Sequence, residues 1–236
     1  LVMALMQDDP VPVLALRHGM LWTRRYSPLS QPVPADRQGR RVFLITGGLG
    51  AVGFGMAHYI ARTFSADLVL VRRPGVIPVQ REAHYQERLA ALRELGGRVE
   101  VIQADVCDRE SLHAALAGIS LQGLQPDCFV HAAGMSGNST LQWLNKTSSA
   151  DWQRLMALTW AGARHLHEWF STRPLQFGCF VSSLAVLAGG LGLAPYAAAN
   201  EACATWSAAA SESCPYFAID WDGWEGWEQS QSFKYG

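Results

Sequence analysis

The sequence predicts an α/β fold, a doubly wound parallel sheet with helices on both faces, preceded by a short N-terminal β-hairpin. Three observations carry this. From residue 41 onward, β-rich runs and helical patterns alternate at a spacing of roughly 25–35 residues. A glycine cluster sits between the first of these strands and the first helix. The chain of 236 residues is 49% hydrophobic and only 17% charged, enough apolar mass to bury a sizeable core and too much for disorder.

In order, residues 11–25 (VPVLALRHGMLWTRR) read as two short strands around His18-Gly19, a hairpin signal. The following SPLSQPVPADRQGR is rich in Pro, Ser and Gly and reads as a linker up to about Arg40. Strand 41–46 is followed by the glycine cluster and the helix-like 53–64, then by strand 67–71 and an amphipathic helix over 80–95. Strand 99–103, helix 110–116, strand 128–133, a long helix near 150–171 and strand 177–183 continue the alternation. A helix from 196 to about 211 and strand 216–220 close it. The expected organisation is a hairpin and linker over 1–39 and a doubly wound domain over 40–236, with no solenoid-type repeat.

Composition also excludes function classes. A net charge of −1 leaves no basic footprint for nucleic acid or an anionic membrane. No apolar run approaches the roughly 20 residues of a membrane helix, and the N-terminus lacks a signal-peptide pattern. Cys107, Cys128, Cys179, Cys203 and Cys214 are odd in number, widely spaced and without a CxxC, so they read as buried reduced thiols. A cytoplasmic, enzyme-like domain is expected. Leu1 at the start suggests excision from a longer chain, and nine Trp with few charges suggest a surface facing another domain.

Strand 41–46 ends at Thr46 and runs into GGLGAVG, in which Gly48, Gly50 and Gly53 satisfy GxGxxG after a strand and before a helix. Such a turn lets backbone approach a pyrophosphate while a helix N-terminus faces its charge, the mark of a Rossmann-type dinucleotide site. The second strand ends in Arg72-Arg73, where an NAD site would place an acid. Guanidinium groups suit a 2′-phosphate, so NADPH is preferred to NADH. Asp105, after the third strand, is placed to receive the adenine amine. Ala132 and Gly134, after His131 on the fourth strand, are small enough for backbone to pass close to a cofactor. His131 alone reads as a core histidine before it reads as a catalyst.

Ser183 closes the fifth strand of the domain, and Tyr196 and Asn200 follow in PYAAAN at a helix start. This arrangement resembles the short-chain dehydrogenase/reductase superfamily. Within it, SSLAVLAGGLGLAPYAAANEA resembles the active-site segment of modular polyketide synthase ketoreductase domains, and TGGLGAVG, LVLVRRPG, QADVCDRESLHAAL, FVHAAG, LHEW and FAIDWDGW follow that family in order. The resemblance covers roughly residues 40–227, and 11–25 resembles the closing hairpin of the preceding structural subdomain. It implies hydride transfer from NADPH to a β-keto group on an acyl carrier protein, beside neighbouring synthase domains. Tyr196 would donate the proton, Ser183 would hydrogen-bond the ketone oxygen, and Asn200 would support a proton relay. Thr46, Gly48, Gly50, Gly53, Arg72, Arg73, Asp105, Ala132 and Gly134 would hold the cofactor; no metal is implied.

One departure dominates. The family carries a lysine in a segment that here reads ALTWAGARHLHE (157–168), and Thr159 occupies its slot. The superfamily's other lysine position holds Asn200, and the only two lysines are Lys146 and Lys234. A tyrosine, with an unperturbed pKa of about 10, needs a neighbouring cation to act near neutrality. Losing one costs about 10²–10⁴ in rate. The reading is an impaired or inactive ketoreductase kept for architecture; the alternatives are a working β-ketoacyl reductase, with Lys146 or Arg164 as substitute cation, and a free-standing reductase of a small carbonyl compound. Family marks of product stereochemistry are also missing at Met135-Ser136-Gly137-Asn138, Ala188 and Leu193. Trp221 and Trp224 match the family's Trp pair near the substrate lid, and Trp227 reads as core or contact surface.

Overall fold

The computed structural model describes residues 14–28, 40–75, 78–134, 143–211 and 214–222. Trp224, Trp227, Lys234, Met135 to Asn138 and most of the expected linker lie outside the described residues. The chain divides into two units, Leu1–Gln38 and Gly39–Gly236.

In the first unit, β1 (Leu14–Arg17) and β2 (Met20–Thr23) pair antiparallel. The two-residue turn places His18 at φ 50° and Gly19 at φ 77°, the left-handed pair that matches the twist of a tight hairpin. Leu16, Met20, Leu21 and Trp22 remain about half exposed.

The second unit holds a six-stranded parallel sheet. Its strands are β3 (Val42–Thr46), β4 (Asp67–Arg72), β5 (Val99–Gln103), β6 (Cys128–His131), β7 (Phe177–Ser183) and β8 (Tyr216–Trp221), in spatial order β5-β4-β3-β6-β7-β8. The chain builds outward from β3 to one edge, returns to β6 and builds to the other edge. The reversal lies between β3 and β6, so the carboxyl ends of these two strands form the crevice where doubly wound sheets bind ligands.

Between strands run α1 (Ala51–Phe64), α2 (Val79–Arg93) and α3 (Arg109–Leu121). The return side carries α4 (Ser149–Met156), a π turn (Ala157–Ala161), α5 (Gly162–Phe170), the short α6 (Ala185–Ala188) and α7 (Ala194–Ala210). The long helix expected near 150–171 is therefore one run widened at 157–161. The helix expected over 110–116 extends to Leu121: the Asp108 side chain accepts from the Glu110 and Ser111 amides, and Leu112, Leu116 and Ile119 keep burying one face. The last helix begins two residues before Tyr196 because Pro195, with φ preset and no N–H to lose, favours the first turn.

Strand alternation sorts the interior into two cores. Leu44, Val69, Val71, Phe129 and Phe180 face α3, α5 and α7, while Phe43, Ile45, Leu68, Leu70 and Val130 face α1 and α2. All five cysteines are free thiols. Cys128, Cys179 and Cys203 are buried, and burial pushes each up to about 12. Cys107 and Cys214 are only partly covered, a departure from five buried thiols. Among the described residues, no helix is long and apolar enough to cross a membrane.

Candidate active site

The site grows from the end of β3. Gly47 leaves the strand at φ 67°, its N–H donating to the Val71 carbonyl (3.1 Å) and its own carbonyl accepting from Gly50 N–H (2.8 Å). A Cβ on Gly47 would stand 2.8 Å from the Ala132 carbonyl oxygen, and one on Gly53 would stand 2.3 Å from the Gly47 oxygen. Gly48 is crowded by the Leu70 side chain at 2.8 Å, whereas Gly50 meets only the Gly47 oxygen at 3.1 Å. The turn is thus closed by glycines packed backbone to backbone. The helix α1 then opens at Gly50 with no side-chain cap and no acid in its first turn, leaving amides directed at the crevice. Gly47, which GxGxxG does not count, is the position that most needs glycine; its place directly after a β-rich run was the available signal.

The two arginines part company. Arg72 is the last residue of β4 and lines a cavity of about 210 Å³ with Leu49, Glu82, Tyr85, Gln86 and Gln103. Arg73 is exposed, near enough to Cys107 for its charge to oppose the rise of that thiol, which burial and Asp105 push up to about 11. Asp105 is oriented by its own loop: its Oδ1 accepts from Cys107 N–H (2.9 Å) and its amide donates to Ser111 Oγ (3.1 Å). Of the pair read as one phosphate site, Arg73 stands on the side of Cys107 and Asp105, and Arg72 lines the cavity of about 210 Å³ beside α2.

At the end of β6, the Ala132 and Ala133 amides donate to the carbonyl and the hydroxyl oxygen of Thr46 (3.1 and 3.2 Å). Among the described residues, none apart from its chain neighbours lies within 4 Å of the position a Cβ would take on Gly134. His131 is buried, and burial lowers its pKa to about 4.

On the return side, Ser183 ends β7, part-exposed, with its Oγ accepting from Ala185 N–H (3.2 Å). Tyr196 is part-exposed in the first turn of α7. Asn200 is buried one turn on, its Nδ2 donating to the Tyr196 carbonyl (2.8 Å). Thr159, in the middle of the π turn, is 8% exposed; its Oγ1 donates to the Leu155 carbonyl (2.9 Å) and lies 3.4 Å from the Ala199 carbonyl. Thr159, expected from the sequence in a lysine position, therefore touches α7 at Ala199 and presents a hydroxyl bonded back to its own helix.

Neither substitute cation is engaged there. Arg164 is exposed, stacked over the Trp160 ring (5.1 Å) and 3.5 Å from Glu168. Lys146 is exposed on a 3-10 turn over Leu144–Lys146 and makes no hydrogen bond or ion pair with Tyr196 or Asn200. Among the described residues there is no cluster of metal-ligating side chains.

Sheet order, glycine turn and the Ser183, Tyr196, Asn200 series define a Rossmann-type domain of the short-chain dehydrogenase/reductase kind. The KR domain family matches residues 42–226, so the chain belongs to the polyketide synthase ketoreductase domains. It is 32% identical over 194 residues to the phthioceranic/hydroxyphthioceranic acid synthase of Mycobacterium bovis, covering 79% of this chain and 8% of that protein. It is 30% identical over 226 residues to a phenolphthiocerol/phthiocerol polyketide synthase of Mycobacterium tuberculosis, covering 90% of this chain and 12% of that protein. The ketoreductase from the first module of phoslactomycin biosynthesis in Streptomyces sp. HK803 superposes with a TM-score of 0.78 at 27% identity, covering 93% of this chain and 49% of that one. The chain thus spans about a tenth of the curated synthases it matches.

Proposed function

We propose that this ketoreductase domain retains a cradle for NADPH while its reductive output is severely weakened or lost, so that it serves its synthase chiefly as architecture. The observation that carries the reading is Thr159: the position packed on α7 at Ala199 holds a neutral hydroxyl bonded to the Leu155 carbonyl.

The cradle suits the cofactor, because the glycine turn has no room for side chains and the α1 N-terminus is open. Gly47, Gly48, Gly50 and Gly53 would hold the pyrophosphate, Asp105 the adenine amine, and Ala132 and Gly134 would let backbone approach. Of the arginines read as the 2′-phosphate site, Arg73 has the better placement. When bound, NADPH supplies a hydride to the β-keto carbon. Ser183 would hydrogen-bond the ketone oxygen and Tyr196 would hold the proton destined for it. The phenol can deliver that proton readily near neutral pH only beside a cation. Thr159 offers none, and Asn200 spends its amide on the Tyr196 backbone. The substrate would arrive on an acyl carrier protein, and neighbouring synthase domains would be the other partners, in the cytoplasm.

A second reading, active reduction of a β-ketoacyl thioester, is favoured by the intact Ser183, Tyr196 and Asn200. A free-standing reductase is disfavoured by the match to large synthases. NADPH binding followed by fluorescence, together with NADPH oxidation in the presence of a β-ketoacyl thioester, tests the proposal. Binding without oxidation supports it; oxidation at ordinary ketoreductase rates selects the second reading; absence of binding rejects the cradle.

A further inference from the structure

Two segments remote in sequence, the turn after β3 and the π turn between α4 and α5, meet on one buried side chain. His131 Nδ1 lies 2.7 Å from Thr46 Oγ1, and its Nε2 lies 3.1 Å from the carbonyl oxygens of both Leu158 and Thr159. Carbonyls only accept, so Nε2 carries the hydrogen and shares it between the two. Nδ1 then presents a lone pair, and the Thr46 hydroxyl donates to it while accepting from Ala133 N–H (3.2 Å). The chain of donors and acceptors is complete, and it contains no spare proton. The ring also needs Gly162, where a Cβ would stand 2.9 Å from His131 Cε1.

A π turn is rare and persists where something holds it open. Here both carbonyls that face the sheet at its centre are held by one imidazole, which is in turn held by the residue that starts the glycine turn. We infer that His131 is a positioning residue of the ketoreductase site: its neutral ring locks the π turn carrying residue 159 to Thr46, so that the glycine turn and the turn packed on α7 keep a fixed spacing. The bond chain itself does not depend on the proposed NADPH cradle; only its effect on cofactor affinity does.

The test uses the whole chain with Thr46→Val, His131→Gln and His131→Phe. Backbone hydrogen exchange is followed over 47–53 and 157–162, alongside the NADPH dissociation constant. Thr46→Val keeps volume and removes the donor, and lies outside the π turn. It should speed exchange in 157–162 by about tenfold or more, and weaken NADPH severalfold. His131→Gln, whose amide can still donate to the Leu158 and Thr159 carbonyls, should restore protection of 157–162 while leaving 47–53 exposed. His131→Phe should expose both. Exchange changes confined in each variant to the mutated element would overturn the inference. If the wild-type chain fails to bind NADPH, the cradle falls while the exchange pattern still decides the role of His131. If His131→Phe fails to fold, Thr46→Val carries the decision.

Discussion

At the turn after β3, Gly47 and Gly53 leave no space for a Cβ, at 2.8 and 2.3 Å from backbone oxygens, and the amides of the next turn stay uncapped. At the π turn, 157–161, Thr159 lies against α7, its hydroxyl donating to the Leu155 carbonyl of its own helix at 2.9 Å and lying 3.4 Å from the Ala199 carbonyl. The first region combines crowded glycines with an uncapped helix start, which stability alone would not select for, since uncapped amides cost rather than contribute. The second carries a neutral hydroxyl where the proposed chemistry would use a cation, and two of its carbonyls lie 3.1 Å from His131 Nε2. The contrast is what the proposed role in binding and scaffolding rests on.

The largest effect should come from repairing the poorer region. Thr159→Lys restores a cation against α7, and NADPH oxidation with a β-ketoacyl thioester should rise by about 10²-fold or more. An unchanged rate would mean that the site differs from a working one at more than residue 159. Damaging the better region should be nearly as large. Gly53→Ala forces a Cβ into the Gly47 carbonyl and should destabilise the domain by about 3 kcal/mol in urea unfolding, with loss of NADPH affinity.

The link between the regions should appear in the pH dependence of stability. His131 is held near pKa 4 in the folded chain by burial, against 6.5 when free. Between these values the unfolded chain binds the extra proton, so stability is full above about pH 6.5 and falls toward pH 4. Across that window the loss is about 3 kcal/mol. His131→Gln should lack this part of the slope, and a wild-type profile identical to the variant's would contradict a buried neutral imidazole. The smallest effect separates the two arginines. Arg73→Ala should raise the NADPH dissociation constant about tenfold and leave NADH unchanged, while Arg72→Ala should leave the NADPH-to-NADH ratio unchanged. Equal effects would restore the paired site.

Much of this was legible in the residues. Apolar runs located all six strands of the sheet, and GGLGAVG placed the crevice, because both signals are local. The π turn was not, since a single-residue widening leaves the apolar pattern of 150–171 intact. The role of Gly47 showed only in its place directly after the β-rich run, because GxGxxG counts from Gly48 and the positive φ falls one residue earlier. The partition of Arg72 from Arg73 follows from strand alternation: Arg72 shares the face of Leu68 and Leu70, and Arg73 has left the strand. The His131 bonds join residues 85 and 28 positions apart, a juxtaposition only the folded chain reveals.

The most direct measurement is NADPH binding and NADPH oxidation by the unmodified chain with a β-ketoacyl thioester in one cuvette. The account predicts saturable binding, with oxidation at least about 10²-fold below that of the same chain carrying Thr159→Lys. Oxidation by the unmodified chain at an ordinary ketoreductase rate would contradict it.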